Sequence, residues 1–163
     1  MRPIIKRRQL TDKEASWPQI HPVLQRIYAA RNIEHEAELA RELNSLLPFQ
    51  SLSNIELAAK RLADAIAQQE RILIVGDFDA DGATSTAVAI RALRSFGATQ
   101  VDYIVPNRFA FGYGLTPELV AHAYKDMPTV ILTVDNGIAN HAGVNAAKAL
   151  GMTVIITDHH FPA

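Results

Sequence analysis

The stretch that most constrains this chain runs from Ile72 to Thr86, ILIVGDFDADGATST. Ile72, Leu73, Ile74 and Val75 form a short aliphatic run, three of them β-branched, which predicts a strand buried on both faces. Asp77, Asp79 and Asp81 follow at spacing two, Gly82 frees the backbone to turn, and Ala83 to Phe96 predicts a helix of small and apolar residues. Three carboxylates crowded at the end of a strand repel one another, which costs stability unless a cation compensates. The cluster therefore points to a divalent-metal site.

Composition narrows the chemistry. The chain has 163 residues and no cysteine, so thiolate metal sites, thiol nucleophiles and disulfide frameworks are excluded. Any cation must be held by oxygen and imidazole. A chain this long buries roughly 70% of its unfolded surface and needs no covalent staple to fold. The opening residues MRPIIKRRQL are basic but lack the apolar run of a signal peptide, and no stretch is long and apolar enough to span a bilayer. The expected setting is cytoplasmic, with no membrane partner. The formal net charge is −1, so a nucleic-acid ligand would have to be held by local basic groups rather than by bulk charge.

Two regions are expected. Residues 1–70 read as a basic arm at Lys6, Arg7 and Arg8 followed by helices: one over Val23–Ala30, a short acidic one over Glu34–Leu43, and one over Ser53–Gln69. In the last, Ser53 and Glu56 have capping-box spacing and Ile55, Leu57, Leu62 and Ile66 mark the expected buried side. From Arg71 the pattern alternates strand and helix. Strands are expected at Arg71–Gly76, Val101–Val105, Val130–Val134 and Thr153–Thr157, with helices between, one opened by Thr116-Pro117 and one capped by Asn140. Such alternation implies right-handed crossovers and an α/β fold, a parallel sheet with helices on both faces.

In a parallel sheet all carboxyl ends share one edge, where such folds bind ligands. The expected ends carry Asp77, Asp79 and Asp81; Asn107 and Arg108; Asp135 and Asn136; and Asp158, His159 and His160. Carboxylates and imidazoles without thiolates suit Mn²⁺ or Mg²⁺. So many donors exceed the needs of one ion, and a pair about 3.5–4 Å apart, bridged by Asp135, would use them in an in-line phosphoryl displacement. Adjacent histidines in an extended segment point to opposite sides, so His159 is expected to ligate and His160 to contact phosphate or act as general acid. Asp158 is expected to orient its neighbours, and Asn107 and Arg108 to meet substrate phosphate. Tyr113, between two glycines, reads equally as a loop anchor or a base-stacking platform.

The segments GDFDADGATSTA (Gly76–Ala87), VPNRF with GYGL (Val105–Leu115), VDNGI (Val134–Ile138) and TDHH (Thr157–His160) resemble the DHH phosphoesterase superfamily. Within it, the resemblance is greatest to the RecJ-like exonucleases, which act on single-stranded DNA in the 5′-to-3′ direction. It implies Asp79, Asp81, Asp135 and His159 as metal ligands, His160 near the scissile phosphate and Asp77 supporting or ligating. It also implies two Mn²⁺ or Mg²⁺ ions, a role in DNA repair and recombination, and single-strand-binding protein and repair helicases as partners. Ala110 and Phe111 stand where relatives often carry acidic residues before GYGL. RecJ-like enzymes also continue with another metal-binding aspartate and a second domain, so the resemblance implies an N-terminal part of a longer enzyme.

Competing readings explain less. An EF-hand opens with D-x-D-x-D-G, but its closing glutamate position is Val88 and a strand precedes the loop. An aspartate-nucleophile phosphatase would use Asp77 and leave the third aspartate and both histidines unexplained. Within the resemblance, a phosphoesterase of short oligonucleotides, cyclic dinucleotides or pyrophosphate would more often carry a histidine and a proline just upstream of the paired aspartates. A non-catalytic RecJ-like scaffold would be expected to lose ligands, and this chain retains every one its length could include.

Overall fold

In the computed structural model, residues 17–162 are described, and the basic arm at Lys6–Arg8 lies outside them. Four parallel strands form one sheet in the order β2-β1-β3-β4: β1 Ile72–Val75, β2 Val101–Ile104, β3 Val130–Val134 and β4 Thr153–Thr157. The two central strands are buried along their whole length and the two edges only in part, as expected when helices cover both faces.

The period of two along β1 assigns its side chains to two cores. Ile72 and Ile74 pack with Val130, Leu132 and Val134 on one face, against Leu93 of α3 (Ala80–Ser95) and Ala65 of α2 (Ile55–Ala67). Leu73 and Val75 pack with Ile131 on the other, against Leu119 and Val120 of α5 (Pro117–Ala123) and Ala147 of α6 (His141–Ala149). Gly143 lets α6 approach closely, since a Cβ there would overlap the Leu115 carbonyl. These are the expected α/β layers.

The chain forms two compact units that meet between Leu52 and Ser53. The reason is α2, whose Ala58, Leu62, Ala65 and Ile66 belong to the core of the sheet. That stripe follows helical spacing, and it leaves Leu57, expected inside, on the outer side and largely exposed. The expected capping box does not form either. Asn54, in the left-handed region at φ 59°, occupies the cap position, and Ser53 is displaced by one residue. In the first unit α1 spans Pro22–Ala29, and Gln25 Nε2 donates to the carbonyls of Trp17 and Ile20. The acidic helix expected over 34–43 is instead two short 3₁₀ turns, Glu36–Leu39 and Leu43–Ser45. The Glu38 carboxylate accepts from the backbone N–H groups of Glu34 and His35, and with no buried side to pack, a longer helix has nothing to support it.

No helix among the described residues is long and apolar enough to cross a membrane. At the amino edge of the sheet Glu70 accepts from Arg61 at 2.6 Å and from the Thr129 hydroxyl at 2.6 Å, which ties α2 to the entry of β3. The Arg61 guanidinium, then Thr129, hold the Glu70 carboxyl below its ordinary range. A carboxyl depressed in the folded state adds stability above its unfolded value and loses it as pH falls through the folded one. Glu70→Gln is therefore expected to lower stability at neutral pH by about 1–2 kcal/mol. Denaturant titrations across pH check this: the gap between parent and variant should narrow below the ordinary carboxylate range.

Candidate metal centre

The strand order reverses between β1 and β3, since β1 connects to β2 on one side while β3 adds on the other. Crevices open at such reversals beyond the carboxyl ends of the strands. Asp77 and Asp79 leave the end of β1, and Asp135 leaves the end of β3. Donor atoms of these three residues lie within 4.8 Å of one another, and Asp135 forms a second such group with His159 and His160. Asp135 is the member common to both.

Asp135 is held in an unusual way. Its backbone is left-handed at φ 63°, a region aspartate tolerates better than most residues. Its N–H donates to Thr157 O, continuing the β3–β4 ladder by one residue. The next residue, Asn136, is fully buried and its Nδ2 donates to the carbonyls of Val75 and Val134, both at 2.9 Å. Asn136 thus fastens the turn after β3 to the end of β1, a role the sequence reading did not assign. The signal was present in the D-N-G wording, which reads as a turn, but what the amide reaches depends on β1 lying beside β3.

Both Asp135 carboxylate oxygens are buried without a hydrogen-bond partner. The polar group nearest them is His159 Nε2, 2.9 Å from Oδ1. Burial, then the Asp79 charge, push the Asp135 carboxyl up. A buried carboxylate crowded by other carboxylates and faced by an imidazole is the arrangement a divalent cation relieves. Oxygen and imidazole donors fit Mn²⁺ or Mg²⁺.

The remaining expected residues divide. Asp79 caps α3, its Oδ1 accepting from Gly82 N–H at 3.0 Å, and that bond first of all holds its carboxyl below the ordinary range. The helix therefore begins at Ala80, three residues earlier than expected. Asp81 consequently sits in its first turn, exposed and outside both groups; spacing two separates side chains once the backbone coils. His159 and His160 do not point apart. The chain leaves β4 at Thr157 and bends at His160, and the two rings stand 4.7 Å centre to centre. Asp158 turns back on its neighbours. It accepts from Ile138 N–H, from His160 N–H at 3.0 Å, and lies 2.7 Å from His160 Nδ1. Burial raises the Asp158 carboxyl, but these three bonds outweigh it and the net direction is down.

Asn107 and Arg108 stand at the same edge, each with a partner inside the chain. Asn107 Oδ1 accepts from Phe109 N–H and caps a short helix α4, Arg108–Phe111, a stretch with no helical pattern in the sequence. The Arg108 guanidinium is paired with Asp77, Nη2 lying 3.1 Å from each carboxylate oxygen. Asn140 sits at the start of α6 without capping it; its Nδ2 donates to Tyr113 O instead. Asp77, Arg108, Tyr113, Asp158 and His160 line one cleft of about 450 Å³.

A doubly wound sheet with carboxylates and imidazoles at its switch point defines an α/β fold with the donor set of a divalent-cation site. Residues 71–163 match the DHH family, N-terminal domain, and the chain belongs to that family. It is 50% identical over 157 residues to the single-stranded-DNA-specific exonuclease RecJ of Escherichia coli K12, covering 96% of this chain and 27% of that protein. A crystal structure of exonuclease RecJ bound to manganese superposes with a TM-score of 0.65 at 40% identity, covering 72% of this chain and 30% of that one. The RecJ of Thermus thermophilus in complex with Mn²⁺ gives a TM-score of 0.61 at 34% identity, covering 83% and 18%. This chain thus spans about a quarter of the curated relative it matches.

Asp158 raises the His160 pKa, through the hydrogen bond first and its charge second. Asp158→Asn should therefore move the His160 titration to lower pH, an outcome that NMR titration of the ring in the chain without added metal checks. Asn136→Ala should destabilise by about 1–3 kcal/mol because it leaves two strand-end carbonyls without a donor, measurable as a lower denaturant midpoint.

Proposed function

We propose that this chain carries the cation-binding centre of a nuclease that hydrolyses phosphodiester bonds of single-stranded DNA from the 5′ end, using Mn²⁺ or Mg²⁺. The observation that supports it most is the buried Asp135 carboxylate, common to an aspartate group and a histidine group whose donor atoms converge. The names of the relatives point the same way. Asp77, Asp79, Asp135 and His159 are the residues proposed to hold the ions. Asp81 stands on the same rim outside both groups and is retained as a ligand on the resemblance alone. A pair of divalent cations, when bound, neutralises phosphate charge and makes water a competent nucleophile near neutral pH.

The chain's own residues supply the remainder. His160 Nδ1 faces Asp158, which fixes the ring and makes its protonated form easier to keep. In the neutral ring that hydrogen bond assigns the proton to Nδ1, and in the charged ring Nε2 carries the second proton, suited to a phosphate oxygen or a departing alkoxide. The Asp158–His160 pair therefore positions a proton, while Asp135 and Asp79 position charge. In the cell this reading places the enzyme in DNA repair and recombination, beside single-strand-binding protein and helicases that expose 5′ ends.

In the complete enzyme, Asp79→Ala or His160→Ala is expected to lower hydrolysis of 5′-labelled single-stranded DNA with Mn²⁺ by at least about a hundredfold while the circular-dichroism spectrum stays unchanged. Full activity in either variant would sink the reading. Faster turnover of dinucleotides than of long single strands would move the assignment to a short-substrate phosphoesterase.

A further inference from the structure

Arg108 is held by three groups at once. Its guanidinium carbon lies 3.6 Å from the centre of the Phe78 ring and 4.8 Å from that of Tyr113. Its Nη2 is equidistant, at 3.1 Å, from both oxygens of Asp77. The Asp77 side chain is 5% exposed and that of Arg108 43%, so the carboxylate is the buried partner and the guanidinium the one with a face to the cleft. Phe78, otherwise an exposed aromatic, is explained by this contact, since a guanidinium stacks well on a ring face. Asp77 is also one of the three carboxylates that converge on a common point. A buried carboxylate there needs a positive partner, and Arg108 provides one from within the chain.

We propose that Arg108 is an exchangeable counter-ion: it occupies Asp77 until a divalent cation does, and is then free to bind a substrate phosphate. The inference rests on the metal reading above. The two rings keep the guanidinium in the cleft after Asp77 is taken, so release changes its partner and not its place. Cation binding and phosphate binding are then linked, each favouring the other. Arg108 is on this account a positioning residue that makes the phosphate site conditional on the metal.

The test is a double-mutant cycle in this chain, with Mn²⁺ alone as the probe and calorimetry as the readout. Arg108→Met should tighten Mn²⁺ binding by about three- to tenfold, the scale of a partly exposed ion pair removed from competition. In an Asp77→Asn background the same substitution should change the Mn²⁺ affinity by less than about twofold, because the competition has been removed. Inorganic phosphate should bind the Mn²⁺-loaded parent at least about tenfold more tightly than the metal-free parent, and Arg108→Met should shrink that gain by at least about threefold, leaving the share the cations supply directly; an undiminished gain would overturn the exchange. An Arg108→Met effect that persists in Asp77→Asn would show plain charge repulsion and overturn the exchange, as would unchanged Mn²⁺ affinity in Arg108→Met. Absence of Mn²⁺ binding in the parent would overturn the metal reading itself, and the exchange with it.

Discussion

Two carboxylates, Asp77 and Asp135, are buried at the carboxyl edge of a sheet whose central strands are aliphatic almost throughout. Charge in that environment is costly unless it is matched. The molecule matches Asp77 with Arg108, whereas Asp135 meets only the exposed His159 imidazole, 2.9 Å from Oδ1. The rest of the site is arranged around that imbalance. Asn136 pins the turn that carries Asp135, Asp79 is engaged partly in capping α3, and the two histidines close over the remaining side.

The parallel sheet provides the frame for this. β1 and β3 are hydrogen-bonded neighbours with Val75 opposite Thr133, so residues 58 positions apart in sequence, Asp77 and Asp135, emerge side by side. Their backbones then diverge, one into α3 and the other through a left-handed turn, which opens the crevice between them. Beneath the crevice the backbone is closely packed. Gly82 lies tight against the Asp77 backbone, where a Cβ would overlap it, so the first turn of α3 and the first aspartate are fixed to each other. Preorganisation of this kind is what lets charged groups act without rearrangement.

The second line of control is electrostatic. Asp135 is pushed up by burial and by Asp79, whereas Asp158 is brought down by three hydrogen bonds despite its burial. Two aspartates on adjacent strand ends are thereby given different tasks. One is crowded by a neighbouring carboxylate, and the other is satisfied by hydrogen bonds that hold the His160 imidazole. Environments that push like groups apart are how one site assigns separate roles to similar side chains.

Much of this was legible in the residues themselves. Short β-prone runs of four or five residues located every strand, Thr116-Pro117 located the start of α5, and the polar residues after each run located the site, because these signals are local and their physics is local. What the residues could not reveal were the contacts between distant segments. Ser53 and Glu56 have the spacing of a capping box, yet Asn54 takes the cap. Asp77, Asp79 and Asp81 share a spacing, yet only two of them face Asp135, because the helix begins at Ala80. His159 and His160 were expected to diverge, and the bend imposed by Asp158 brings them together. Strand identity and donor chemistry were thus set by sequence, since burial and ligand preference belong to individual side chains. Which carboxylate is paired, which is left bare and which arginine competes for the site were decided only by the tertiary structure, since each depends on neighbours that adjacency along the chain does not specify.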